Sequence, residues 1–334
     1  MERMGKTKGY SYFMRKSIRM EPIMLQWLEN TRFRVRESTY VKYRNLVQGH
    51  ILPELGEVRV NRLTTERVEQ FVRQQLVSGK LDGQGGLSEK TVRDMLTVLK
   101  EICRYAAQCD IEIPCHFEVI RIRKNDSEIR VLNRFEQMKL EQFLTSDESL
   151  IKTGILLSLY MGLRIGEVCA LKRQHILYDE EILQVRSTMQ RIQDVDGGKR
   201  KTKIIETEPK SSCSVRDIPI PEFLLPRLDV VRNVPEEAYL LTGSPDSFIE
   251  PRTMENIFKR CLTECRMETI NYHALRHTFA TRCVENGFDI KTLSEILGHA
   301  SVNITLNRYV HSSMDQKRRS MRMLQGMAVK ENVH

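Results

Sequence analysis

The sequence has no apolar run approaching the ~20 residues that a membrane-crossing helix requires. Its N-terminus lacks an apolar core followed by a small-residue cleavage site. Neither a membrane span nor a secretory leader is expected, and a cytoplasmic location follows. No G-x-x-x-x-G-K-[ST] segment is present to cradle a nucleotide phosphate, so the expectation includes no ATP and no cofactor. There is no internal repeat and no low-complexity tract. Acidic residues are in deficit, with 44 Asp and Glu against 53 Lys and Arg. The resulting charge of +9 favours a polyanionic partner, nucleic acid first, because a basic surface gathers phosphates and releases their counterions. The eight cysteines fall mostly in segments with helical or strand patterning, in a chain too large to need staples. Reduced thiols are expected.

At 334 residues the chain suits two domains, and 40% hydrophobic with 29% charged residues is the balance of an ordered globular protein. Residues 1–19 form a basic arm, with Arg3, Lys6, Lys8, Arg15, Lys16 and Arg19 against Glu2 alone. Residues 20–109 carry helical periodicity that divides into four helices. The clearest of these follows Ser88, a suitable N-cap, and sets Val92, Met95, Leu96, Leu99, Ile102, Cys103 and Ala106 on one stripe. Residues 110–129, with Pro114, Arg121, Arg123 and Lys124, read as a linker. A second domain covers 130–327 and a tail covers 328–334. The second domain opens with helices at 136–143 and 150–160. It then changes period: 182–190, 203–208 and 214–220 are rich in Ile, Val and Thr and bounded by polar turns such as Asp196-Gly197-Gly198. These predict one small antiparallel sheet, with helices resuming after Pro221. The fold class is mainly α with a small antiparallel sheet.

Several residues have the chemistry of a phosphate site. Arg164 follows the Met161-Gly162 turn and is placed on the first turn of a new helix, where amides and a guanidinium fork suit an oxyanion. Glu167, three residues on, is placed to hold that arginine or cap the helix. Lys210 is expected at the tip of a hairpin joining two strands, able to swing over a leaving oxygen and protonate it. His273 and Arg276 share a helix face, His299 follows the glycine that ends a helix, and Tyr309 follows ten residues later. Each alone reads equally as a cap, a surface charge or packing. Cys261, Cys265, His273 and His277 form C-x3-C-x7-H-x3-H, but the central gap is shorter than the usual ~12 to 15 residues, so zinc is not expected. The Cys109, Cys115 and His116 group offers only three irregularly spaced ligands, and no metal site is expected there either.

Taken in order, R-x-G-E at Arg164, Lys210, H-x-x-R at His273 and Arg276, L-G-H at His299 and the final Tyr309 resemble the signature of the tyrosine recombinase, or phage integrase, family. The helical segment before residue 109, with Pro53, Gly56, Leu63 and Thr64, is similar to that family's core-binding domain. The resemblance implies an all-helical core-binding domain and a mixed α/β catalytic domain closing as a clamp on double-stranded DNA at specific core sites. No extra arm-binding domain is evident before residue 20, a departure from the longer members. The implied roles are Tyr309 as nucleophile forming a 3′-phosphotyrosyl link, and Arg164 and Arg276 as phosphate clamps. His299 adds a hydrogen bond, His273 receives or relays the tyrosine proton, and Lys210 acts as general acid. Neither metal nor ATP is called for. The resemblance further implies a bacterial, nucleoid-associated protein assembling as a homotetramer on two duplexes; segment 312–325, with Met314, Met321 and Leu324, is suited either to dock on a neighbouring protomer or to pack on its own domain. An excisionase or a host DNA-bending protein is the accessory partner to look for. The flavour is that of integrases of conjugative transposons and prophages. A Xer-like dimer resolvase, a type IB topoisomerase and a noncatalytic DNA-binding protein of the same fold are the alternatives.

Overall fold

The computed structural model describes residues 18–123, 130–195, 201–209, 211–310, 318, 321 and 322. Most of the basic arm, the Asp196-Gly197-Gly198 turn, Lys210, most of 312–325 and the tail 328–334 lie outside the described residues. The described chain divides into two units, one taking in residues 18–123 and the other 130–194, 201–209 and 211–310.

The first unit holds α1 (Met20–Arg32), α2 (Glu37–Leu46), α3 (Leu52–Leu55), α4 (Thr65–Ser78) and α5 (Glu89–Gln108). A π turn, Val47–Ile51, carries α2 into α3. Pro53 accounts for it: the residue has no N–H to donate and its ring crowds the carbonyl four residues back, so the turn before it widens. Ser88 caps α5, its hydroxyl accepting from the Thr91 amide at 3.2 Å. Val92, Met95, Val98, Leu99, Ile102 and Ala106 of α5 are buried among Trp27, Ile51, Val68 and Phe71. Leu96 and Cys103, expected on the same stripe, are only partly buried at its margin. The segment after α5 lies on this core, with Ile111, Ile113, Phe117, Ile120 and Ile122 packed against it.

The second unit opens with α6 (Arg134–Leu144), started by a capping box in which Asn133 Oδ1 accepts from the Glu136 amide and Glu136 Oε2 from the Asn133 amide, each at 2.8 Å. Next comes α7 (Leu150–Met161), whose residues 153–159 are all buried, so it runs through the core instead of lying on it. It packs along α11 (His273–Glu285). Each fully buried leucine here contributes on the order of 2 kcal/mol by leaving water.

The strands form two sheets where the sequence predicts one. β1 (Ile176–Leu177), β2 (Ile182–Val185) and β5 (Arg216–Pro219) make the first, and β3 (Thr188–Gln193) with β4 (Thr202–Thr207) the second. All pairings are antiparallel, Leu183 facing Ile218 in one sheet and Gln190 facing Ile205 in the other. The expected single strand 182–190 breaks at Arg186 and Ser187. There the chain changes sheets, β2 pairing with β5 and β3 with β4; the alternation of Leu183, Val185 and Met189 carries through the break, and its phase slips only later, between Met189 and Ile192 within β3. The expected hairpin around Lys210 is corrected for the same reason: β4 pairs with β3 and β5 with β2, so the segment joins two sheets through a 3₁₀ turn at Ser212–Ser214.

Helices then complete the unit: α8 (Ile165–Ala170) between α7 and β1, and after β5 α9 (Leu225–Asp229), α10 (Pro251–Glu264), α11, α12 (Ile290–Leu297) and α13 (Val302–Tyr309). The last three enclose a small separate cluster of Ala280, Cys283, Leu293, Leu297 and Tyr309. No helix among the described residues is long and apolar enough to cross a membrane.

Candidate active site

Two helix ends create the centre of the site. Helices α7 and α12 both stop at a glycine in the left-handed region, Gly162 at φ 66° and Gly298 at φ 65°. Such ends leave carbonyls without intrahelical partners. The side chain of Arg276, only 1% exposed, fills that need from α11: Nη1 donates to the Gly162 carbonyl at 2.7 Å and Nη2 to the Leu297 carbonyl at 2.6 Å. Burial, then the neighbouring Arg164, lowers the Arg276 guanidinium to about 9, so it stays charged at neutral pH.

Arg164 is the N-cap of α8, not a residue of its first turn. Its Nη2 reaches the Gly298 carbonyl at 3.4 Å, which brings the second guanidinium to the same glycine turn. Glu167 fixes it there, accepting from Arg164 Nη1 at 2.6 Å and from the Arg164 amide at 2.9 Å. The same carboxylate takes a second arginine: Arg216 of β5 donates Nη1 to Oε1 at 3.1 Å and Nη2 to Oε2 at 2.8 Å. Arg216 also ties to α12, its Nε donating to the Ile296 carbonyl at 2.6 Å. Burial by itself would raise the Glu167 carboxyl, but Arg216 and then Arg164 hold it down at about 2. Glu167 is therefore a fixed anion that orients two guanidiniums.

Around these cations stand three imidazoles and a phenol. His299 follows Gly298, and its Nδ1 lies 2.8 Å from the Thr305 hydroxyl. With that hydroxyl donating, Nε2 of His299 carries the proton and is a donor for an oxyanion. The His299 ring stacks on Tyr309 at 6.4 Å and 4°. Tyr309 ends α13 with 7% of its surface exposed, and its hydroxyl is 2.7 Å from His277 Nδ1. His277 meets His273 edge to face at 4.5 Å. Desolvation and then Arg276, Arg164 and Arg308 lower His299 to about 3 and His273 to about 4, though His273 keeps an exposed edge that lets solvent screen those charges. His277 is lowered to about 4 by burial, then by His273, Arg308 and Arg276. All three are neutral at pH 7. Burial raises the Tyr309 phenol, opposed by Arg276, Arg308 and Arg164.

Of the six residues singled out in the sequence, Arg164, His273, Arg276, His299 and Tyr309 gather here, while Lys210 lies outside the described residues. Sequence reasoning did not assign His277, Arg216 or Thr305. His277 is one turn from His273, a signal that was spent on the zinc reading. Arg216 was legible, since the inward alternation of Ile218 and Ile220 continues back to it. Cys261 and Cys265 of that zinc reading are buried in the main core on α10 and just after it, and no cluster suited to a metal occurs among the described residues.

Residues 130–316 match the Phage integrase family, and residues 21–75 match the phage integrase N-terminal SAM-like domain. A XerC-like tyrosine recombinase of Caldanaerobacter subterraneus subsp. tengcongensis is 27% identical over 339 residues, covering 94% of this chain and 84% of the relative. The ICEBs1 integrase of Bacillus subtilis is 24% identical over 309 residues, covering 89% of this chain and 80% of the relative. In fold the chain is similar to the Tn1549 transposon integrase in complex with circular intermediate DNA, with a TM-score of 0.73 at 22% identity over 92% of this chain and 100% of that one.

Proposed function

The chain belongs to the phage integrase family and is a tyrosine recombinase, and from that premise we propose that it cuts and rejoins DNA at specific sites to integrate and excise a mobile element. The observation that carries the reading is the pair of buried or anchored guanidiniums, Arg276 and Arg164, meeting at the Gly298 turn beside His299, with the Tyr309 ring stacked on that histidine.

In the proposed reaction the Tyr309 oxygen attacks the scissile phosphorus and the bond to the 5′-oxygen breaks, leaving a 3′-phosphotyrosyl link. Arg164 and Arg276 oppose the charge that builds on the nonbridging oxygens, the task that metal ions perform in many phosphoryl transfers. Their preorganisation makes them effective: the guanidiniums are already fixed by Glu167 and by helix-end carbonyls, so little must reorganise as charge develops. His299 donates to the same oxygens from Nε2. Lys210 protonates the departing 5′-oxygen. A 5′-hydroxyl from a second duplex then attacks the link and releases the tyrosine, so bond energy is conserved and no ATP is consumed. Exchange of two strands on each of two duplexes needs four nucleophiles, which supports four protomers on the DNA. The noncatalytic reading is disfavoured because mere binding has no use for a tyrosine placed among cations.

Similarity to the ICEBs1 integrase and, in fold, to a transposon integrase favours a mobile element, while similarity to a XerC-like recombinase favours a second reading, dimer resolution. A nicked suicide duplex carrying the junction sequence of the element that encodes the gene tests the proposal. Wild-type protein is expected to form a protease-sensitive covalent adduct that persists in EDTA, and Tyr309→Phe none. An adduct with Tyr309→Phe would refute the nucleophile, and a reaction on a dimer-resolution site alone would favour the second reading.

A further inference from the structure

The hydroxyl of the proposed nucleophile is bonded to an imidazole outside the six residues that the sequence singled out. Tyr309 Oη lies 2.7 Å from Nδ1 of His277, a distance that a proton crosses in one step. The two rings are 5.7 Å apart and tilted by 50°, so the bond joins the edge of the imidazole to the end of the phenol. His273, the residue the family resemblance would nominate, meets His277 edge to face at 4.5 Å. The Nδ1 of His299 is already engaged by Thr305.

We propose that His277 takes the phenolic proton of Tyr309 during strand cleavage and returns it during resealing. The inference rests on the recombinase reading above. In cleavage the phenol O–H bond breaks, its proton passes to the Nδ1 lone pair of His277, and the freed electron pair forms the bond to phosphorus. The bond from phosphorus to the 5′-oxygen breaks, and that oxygen takes its proton from Lys210. In resealing the 5′-hydroxyl gives its proton to the now neutral Lys210 and bonds to phosphorus, the bond from phosphorus to the Tyr309 oxygen breaks, and the same Nδ1 proton goes back to that departing oxygen. A neutral imidazole with its proton on Nε2 meets the starting requirement, and His277 is neutral at physiological pH because burial and its neighbours hold it down. The groups around it are His273 and Arg276 from α11 and Arg308 and Tyr309 from α13. These cations also favour the tyrosinate that a partial proton transfer creates.

The test is the single-turnover rate of adduct formation on the nicked duplex from pH 6 to pH 10, with duplex binding measured alongside. His277→Ala is expected to bind normally and to react about a hundredfold more slowly at pH 7, the scale of general-base catalysis. The deficit is expected to shrink as the pH rises toward 10, because the ionised fraction of the phenol grows about tenfold per pH unit even while burial holds its pKa above the ordinary value. His277→Asn keeps an acceptor near the Nδ1 position but cannot carry a proton, so it is expected to stay slow. A substrate with sulfur at the bridging 5′ position needs no acid, and it should rescue Lys210→Ala while leaving His277→Ala slow.

A His277→Asn rate within about threefold of wild type would overturn the proposal, as would a deficit constant across pH or rescue by the sulfur substrate, since each departs from the hundredfold, pH-dependent loss expected of a base. Loss of DNA binding in both variants would assign the residue to folding and overturn it too. An adduct from wild type with an undiminished His277→Ala overturns this assignment alone, whereas no adduct from wild type overturns the recombinase reading and this one with it.

Discussion

Glu167 shows how one side chain sets the geometry of several. Its carboxylate is 3% exposed and holds Arg164 from its own helix and Arg216 from β5. Replacing it with alanine leaves Arg216, itself buried, without its charge partner. Unpartnered buried ions of this kind cost about 3 to 5 kcal/mol. Glu167→Ala is therefore expected to lower the free energy of unfolding by that amount, and the urea midpoint with it, and to slow adduct formation by releasing Arg164. Glu167→Gln, which keeps an acceptor, should lose less of both. Urea titration with an adduct assay on the same samples checks this, and a Glu167→Ala protein as stable as wild type would show that Arg216 finds another partner. Little of this was legible beforehand. The sequence places Glu167 beside Arg164 because they are three residues apart, but Arg216 is 49 residues away and nothing in the local pattern joins them.

At the level of elements, what could be read depended on range. Helices announced themselves through caps and 3.6-residue stripes, Ser88 opening α5 as local chemistry dictates, while the Asn133–Glu136 capping box starts α6 two residues before the expected 136. Sheets were harder, because pairing is a long-range choice. The strands were visible as Ile, Val and Thr runs, yet the alternation of Leu183, Val185 and Met189 runs unbroken past Arg186 and Ser187, and the division into two sheets depends on β2 pairing with β5 across the whole β3–β4 pair. Gly298 illustrates an element boundary that serves the site. Its φ of 65° is unfavourable for any side chain, and an added Cβ would lie 3.0 Å from the Cys213 carbonyl and 3.1 Å from Arg216 Cδ. Gly298→Ala is expected to cost about 1 to 2 kcal/mol from the backbone alone. It should also slow cleavage by shifting the carbonyl that Arg164 uses and the His299 that follows. Thermal melting and the adduct assay test this together, and a variant of unchanged melting temperature would mean that the turn can adopt another conformation.

For the molecule as a whole, the neutral imidazoles make stability depend on pH with a definite sign. His277 and His299 titrate at about 4 and about 3 in the folded chain, below the ordinary value of 6.5. Between those values and 6.5 the unfolded state binds more protons than the folded one, so stability rises with pH there and is lost on acidification. The melting temperature of the DNA-free protein is expected to fall steadily from pH 6.5 toward pH 4. A double substitution, His277→Gln with His299→Gln, should flatten that fall, and an unchanged slope in the double variant would place the acid sensitivity elsewhere.

The seat of Tyr309 has a mechanical meaning of its own. Its ring belongs to a small cluster with Ala280, Cys283, Leu293 and Leu297, on which α13 rests. In the proposed reaction a severed DNA end becomes continuous with that cluster through one ester bond. Any pull on the broken strand would then pass through the ester to an apolar plug wedged among three helices, so the position of the severed end would be set by how firmly the protein packs around that ring.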